Sequence, residues 1–204
     1  QVGRFLALTS SHINASDALY CGLGTHFLGN VQRADLLDGL TAQAWSGDAA
    51  TNHELVGSLL AGMTASIEPP DAQIEPHIDT INEWMAGDDL TIIHDRVRNW
   101  QGEDKWLVKA QDGFAHGSPL AATWIFRQLN QTREASLEAV FESELVLGCN
   151  IMRHPEFAEG VRALLVDKDR TPAWAYPDLA SVPAEVVDTF FTAPVNMPAL
   201  GLPE

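Results

Sequence analysis

A chain of 204 residues, 46% hydrophobic and 20% charged, carries enough apolar side chains to build a sizeable core, which excludes disorder as its general state. Its formal net charge of -16 excludes general binding to nucleic acid or anionic membranes, since both need a basic field. The longest apolar runs, such as 5–8 and 163–166, are too short to span a bilayer.

In chain order, Phe5, Leu6 and Leu8 close a short opening segment whose beginning is expected before Gln1. Asn14-Ala15-Ser16-Asp17 supplies capping residues for a short helix through Tyr20, ended by Gly22 and Gly24. Thr25-His26-Phe27-Leu28, β-branched and aromatic between glycines, predicts the one strand of the chain. A lone strand needs a partner for its backbone groups, so this one is expected to belong to a sheet whose other members are absent. From Val31 the positions Leu36, Leu37, Leu40 and Ala44 return at helical spacing.

The small, polar stretch over 46–52 is the best internal boundary, dividing a region 1–45 that contains the strand from a helical region 46–204. Beyond it, four helices are predicted from their apolar stripes. The first carries Leu55, Val56, Leu59, Leu60 and Met63; the second Ile74, Ile78, Ile81 and Met85, with Gly87 at its stop. The third carries Leu90, Ile93, Val97 and Trp100, and the fourth Trp106, Leu107, Ala110 and Phe114. Ser118-Pro119 then opens a helix towards Leu129, because a capping hydroxyl followed by a proline suits a first turn. Ser136 caps a longer helix to Met152; His154-Pro155 breaks the chain before a helix with Phe157, Val161, Leu164 and Leu165. After Thr171-Pro172 the chain is proline-rich, with a last short helix near 186–190. The chain as a whole is therefore expected to be mainly α.

The chemistry-bearing residues form no complete motif. His53-Glu54 begins like a metalloprotease helix, but Gly57 stands where the second histidine is needed. No close histidine pair or cysteine cluster exists, so no metal is expected. Ser118 lacks the G-x-S-x-G spacing, and Pro119 has no N–H to offer an oxyanion, which leaves Ser118 as a cap. Gly22-Leu23-Gly24 lacks a third glycine, so it is no dinucleotide loop. The carboxylate pairs Glu142/Glu144 and Glu156/Glu159 are read as solvated helix faces. Cys21 and Cys149 belong to no CxxC pair and are expected to be small buried hydrophobes of a reducing compartment. Arg4 and Arg33 are the only basic residues before Arg96, so a polyanionic ligand would have to be held between Arg96 and Arg170. The start, Gln1-Val2-Gly3-Arg4, reads neither as a signal peptide nor as a native beginning.

Two stretches carry a resemblance. Gly3-Arg4-Phe5-Leu6-Ala7-Leu8-Thr9, with Asp17-Ala18-Leu19-Tyr20 and Gly24-Thr25-His26-Phe27, resembles the enoyl-CoA hydratase/isomerase (crotonase) superfamily just after its active-site loop. The run from Phe157-Ala158-Glu159-Gly160-Val161-Arg162 through Leu165-Val166-Asp167-Lys168-Asp169-Arg170-Thr171-Pro172-Ala173-Trp174 is similar to the 3-hydroxyisobutyryl-CoA hydrolase branch. So is Ser118-Pro119 opening a helix that contains Arg127-Gln128-Leu129.

The resemblance implies the helical carboxy-terminal part of a crotonase-like α/β fold, a β-β-α spiral, acting on CoA thioesters. Residues 1–45 become the remnant of that core. It implies hydrolysis of 3-hydroxyisobutyryl-CoA in valine breakdown, with an oxyanion hole of two backbone N–H groups and acidic catalytic residues. Those elements precede the Gly3-Arg4-Phe5 segment in the family, so no catalytic residue is assigned within this chain, which is expected to be inactive alone. Lys168, and with it Arg170, match the family's basic contact to the CoA nucleotide after a one-residue adjustment of the alignment. The turn over 114–118 is expected near the acyl pocket. The implied partner is an acyl-CoA substrate; no cofactor, nucleic acid or membrane is called for, and a homo-oligomer or association with an amino-terminal half is expected. The implied location is the cytosol, or the mitochondrial matrix in a eukaryote. Two alternatives stay open: a hydratase or isomerase of the same superfamily, and a non-catalytic helical module.

Overall fold

The structure is a computed structural model and describes residues 1–64 and 68–195. Among the described residues the chain is helical without a strand: α1 (Val2–Thr9), α2 (Ala15–Tyr20), α3 (Arg33–Thr41), α4 (Ala49–Thr64), α5 (Ile78–Trp84), α6 (Leu90–Arg98), α7 (Lys105–His116), α8 (Pro119–Gln131), α9 (Leu137–Ile151), α10 (Pro155–Val161) and α11 (Ala184–Phe190). None of these helices is long and apolar enough to cross a membrane. The mainly α class read from the sequence is correct.

The strand predicted at Thr25–Leu28 is not formed; these residues run as an irregular loop after Gly22, whose φ is +71°. Strand propensity in four residues supplies no hydrogen-bond partner, and a strand exists only as part of a ladder. The helix expected from Val31 begins with a 3-10 turn, Asn30–Gln32, and stops at Thr41. Leu37 on it is exposed, while Leu36 and Leu40 are half-buried. Cys21 and Cys149 are free and half-buried rather than fully buried.

The chain divides into two compact units. One holds Gly3–Ser11 together with the chain from Asn82 onward; the other holds His12–Ile81. The polar stretch over 46–52 lies inside the second unit, where Ser46 N–H donates to Asn52 Oδ1 at 2.9 Å.

In the His12–Ile81 unit a buried carboxylate does the organising. Asp17 is fully buried in the first turn of α2. Its Oδ2 accepts from Asn14 N–H at 3.0 Å, and Asn14 Oδ1 accepts from Asp17 N–H at 3.1 Å, a reciprocal cap. Its Oδ1 takes the backbone N–H groups of Gln73 at 2.7 Å and Ile74 at 2.8 Å, fixing a segment 57 residues away. Ile74, which has no solvent exposure, is thereby held inside. Within the same unit α3 packs on α4, with Leu59 directly against Gly39.

In the other unit the core has two centres. Phe5 of α1 is fully buried, with Trp106 at 5.3 Å and Trp84 at 6.1 Å between ring centroids; burying such a ring contributes about 1.5–3 kcal/mol. Leu120, Leu147, Val187 and Phe190, from α8, α9 and α11, form the second. Arg4 links helix ends around the first. Its guanidinium, almost wholly buried, donates to Met85 O at 2.9 Å, Gly87 O at 2.6 Å and Asn130 Oδ1 at 2.8 Å, and stacks 4.9 Å from the Phe126 ring. Caps stop and start the remaining helices: Asp89, Asp104, Ser118 and Ser136 each accept a backbone N–H from the first turn that follows.

Two outcomes test this packing. Asp17→Ala leaves the Gln73 and Ile74 N–H groups without their acceptor and is expected to cost about 1–3 kcal/mol for the buried donor, read as a lowered urea midpoint; Asp17→Asn, which keeps one acceptor oxygen, should cost less. A Cβ on Gly113 would lie well inside contact distance of the Thr9 carbonyl oxygen, so Gly113→Ala should destabilise the unit by about 1–3 kcal/mol in the same measurement.

Candidate functional site

The segment over 154–175, which contains the run from Phe157 to Trp174, is built from its amino-terminal end by capping. His154 Nδ1 accepts from Glu156 N–H at 3.3 Å, Pro155 takes the first helical position of α10, and the His154 ring lies 5.1 Å from Phe190. After Val161 the helix does not continue as α. Residues Arg162–Val166 form a π-helical turn, closed by Asp167 N–H donating to Arg162 O at 2.8 Å. Of the apolar run 163–166 only Ala163 is buried; Leu164, Leu165 and Val166 are all at least 60% exposed. The widened turn takes these residues off the buried face that simple helical periodicity assigns them.

Lys168 and Arg170 follow directly, and both have φ of +56°. Left-handed backbone at two non-glycine residues in three is uncommon and persists only where neighbouring bonds impose it. Here those bonds are visible. Arg170 N–H donates to Ala163 O at 3.0 Å, and Thr171 N–H to Asp169 Oδ1 at 2.9 Å. Above all, Arg162 gathers three carboxylates: its Nη1 reaches Asp167 Oδ2 at 2.7 Å and Asp169 Oδ2 at 2.6 Å, while Nε and Nη2 form a two-point pair with Glu159 at 2.9 and 2.7 Å. Bonding to the Arg162 guanidinium and to Ala173 N–H holds the Glu159 carboxyl down at about 2, and the same guanidinium lowers Asp169. Lys168 and Arg170 themselves are exposed, with no side-chain hydrogen bond or ion pair among the described residues.

The two glutamates read as a solvated face serve instead as tethers. Glu159 accepts from Ala173 N–H at 2.8 Å, and Glu156 accepts from Ala175 N–H at 2.9 Å and from the Ser118 hydroxyl. Ser118 Oγ in turn accepts from Ala121 N–H, the capping role expected of it. Trp174 Nε1 donates to His116 O at 3.0 Å, and its ring edges past Gly160, where a Cβ would be at 3.3 Å. The turn over 114–118 and the loop after Arg170 are thus brought together. Phe114 itself is buried, with its ring 5.1 Å from His94.

Glu142 and Glu144 are both exposed on α9. Arg127 pairs with Asp188 and lies 4.4 Å over the Phe191 ring. Gln128 is buried, its Oε1 accepting from Ser143 Oγ at 2.8 Å and its Nε2 unpartnered among the described residues. No grouping of three or more His, Cys, Asp or Glu fit for a metal occurs among the described residues. The arrangement can present the Lys168 and Arg170 cations to an anionic ligand.

Because Glu159 titrates at about 2 against an ordinary 4.5, its tether contributes stability that is complete above about pH 4.5 and lost as the pH falls towards 2. Hydrogen exchange at Ala173 N–H should accelerate, beyond its intrinsic pH dependence, across that window. Glu159→Gln should remove the step; a step that persists in the variant would place its cause elsewhere.

A family model described as enoyl-CoA hydratase/isomerase matches residues 1–191. Among similar curated proteins, the mitochondrial 3-hydroxyisobutyryl-CoA hydrolase of Gallus gallus is 28% identical over 94% of this chain and 49% of its own length. Small ribosomal subunit protein mS47 of Arabidopsis thaliana is 26% identical over 94% of this chain and 47% of its own. A solved carnitinyl-CoA dehydratase from Mycobacterium thermoresistibile superposes with a TM-score of 0.74 at 24% identity, over 96% of this chain and 52% of that one, which shows the fold. The chain spans about half the length of the curated relatives it matches. With a family match that takes in every described helix and a shared fold across nearly the whole chain, the protein belongs to the enoyl-CoA hydratase/isomerase family.

Proposed function

We propose that the chain is the carboxy-terminal part of a thioesterase that hydrolyses 3-hydroxyisobutyryl-CoA, in the cytosol or, in a eukaryotic host, the mitochondrial matrix. The observation that carries this is the match, over 94% of the chain, to relatives named for that hydrolysis. On this reading the oxyanion hole and the catalytic carboxylates are supplied from outside residues 1–204. A thioester carbonyl gathers negative charge on attack, and preorganised N–H donors stabilise it while a carboxylate acts as nucleophile or general base.

Lys168 and Arg170 would hold the phosphates of the CoA moiety. Their exposure and lack of partners support this, as does the fixed backbone beneath them. An ammonium on a flexible stem and a planar guanidinium are complementary ways of meeting phosphate oxygens. The substrate carries its own CoA, so the reaction needs no further cofactor.

A second reading, a helical module with a non-catalytic role, is favoured by the relative named as a ribosomal subunit protein. The two separate in one assay, free-thiol release from 3-hydroxyisobutyryl-CoA by residues 1–204 and by a protein extended upstream. Release by the longer protein alone is the expected outcome. Equal turnover by residues 1–204 would return Glu142, Glu144, Glu156 and Glu159 to consideration, and no release by either would favour the non-catalytic role.

A further inference from the structure

The run Asp167-Lys168-Asp169-Arg170 alternates sign, and an alternating run is a poor anion site. Two carboxylates flanking a lysine oppose any phosphate that the lysine attracts, and at exposed positions the four charges nearly cancel. The structure resolves the conflict in a specific way. Both carboxylates are drawn onto one nitrogen of Arg162, at 2.7 and 2.6 Å, and neither cation has a side-chain partner among the described residues. The remaining guanidinium edge is occupied by Glu159, whose other contact is the backbone of Ala173.

We propose that Arg162 is a positioning residue that sorts this tetrad by sign, withdrawing Asp167 and Asp169 onto its guanidinium so that Lys168 and Arg170 face an anionic phosphate ligand with neither carboxylate paired to them. The proposal rests on the reading of Lys168 and Arg170 as phosphate contacts and adds the group that makes them effective. Geometry supports it twice. The π-turn places Arg162 where its carbonyl takes Asp167 N–H, which brings the start and end of the run together. The left-handed backbone at residues 168 and 170 leaves 167 and 169 as the pair that reaches one guanidinium.

The test uses the chain of residues 1–204, adenosine 3′,5′-bisphosphate as probe, and NMR titration at low ionic strength, where exposed charges are least screened. Wild type should bind, and Lys168→Ala/Arg170→Ala should lose binding. Arg162→Gln should weaken it about ten-fold, the scale of two freed carboxylates near the probe, and adding Asp167→Asn and Asp169→Asn to that variant should restore most of the loss. A merely structural Arg162 would not be rescued by neutralising its partners, so failure of rescue overturns charge sorting. Undiminished binding by Arg162→Gln overturns it too, while leaving the phosphate contacts intact. If wild type does not bind, or the Lys168/Arg170 double variant binds equally well, the phosphate reading itself falls. Should Arg162→Gln fail to fold, Asp167→Asn/Asp169→Asn alone decides: affinity equal to wild type or tighter supports the proposal, and a five-fold or greater loss, on the order of an exposed charge pair, overturns it.

Discussion

A buried guanidinium cannot be left short of acceptors, and around Arg4 that requirement shapes the unit that bears the candidate site. Removing such a cation from water is costly unless carbonyls and amides replace the lost hydration. The chain brings them from afar. Met85 and Gly87 lie where α5 has ended, and Asn130 lies in the last turn of α8. Helix ends carry unpaired carbonyls in any case, so one side chain meets its own need and theirs together. With α1 fixed in this way, Phe5 is held between Trp84 and Trp106, and the helices that follow have a surface to pack on.

Arg162 meets a similar requirement at the surface, with a different result. Water can solvate it, so its pairs with Glu159, Asp167 and Asp169 are worth little individually as stability. Their value is geometric. A network that shares one side chain restricts several loop positions at once, and here it fixes a backbone that glycine would normally be needed to adopt. Glu156 and Glu159 extend the control to the Ala173 and Ala175 amides, and Trp174 carries it to the turn before α8.

Most helices were legible because they depend on local information: apolar spacing for α5 to α9, capping hydroxyls at Ser118 and Ser136, proline at the starts of α8 and α10. The strand at Thr25–Leu28 was over-read for the converse reason, since pairing is non-local and residue preference cannot supply it. Asp17 was visible as a cap but not as the acceptor for Gln73 and Ile74, because nothing in a short window announces a partner 57 residues away. At the candidate site, the motif from Phe157 to Trp174 was recognisable as letters. The tethering roles of Glu156 and Glu159 were not, because a uniform helical period puts both on a wet face and contains no signal for the loop that returns to them.

The π-turn at Arg162–Val166 has one further consequence. Such a turn accommodates one residue more than the α-helical turn it replaces. An inserted residue in a continuous helix would rotate everything beyond it by about 100°. Swallowed by a wider turn, it leaves the preceding face of α10 undisturbed and alters only the exit of the chain. A residue gained at such a turn is thus absorbed as a local bulge rather than passed along the helix.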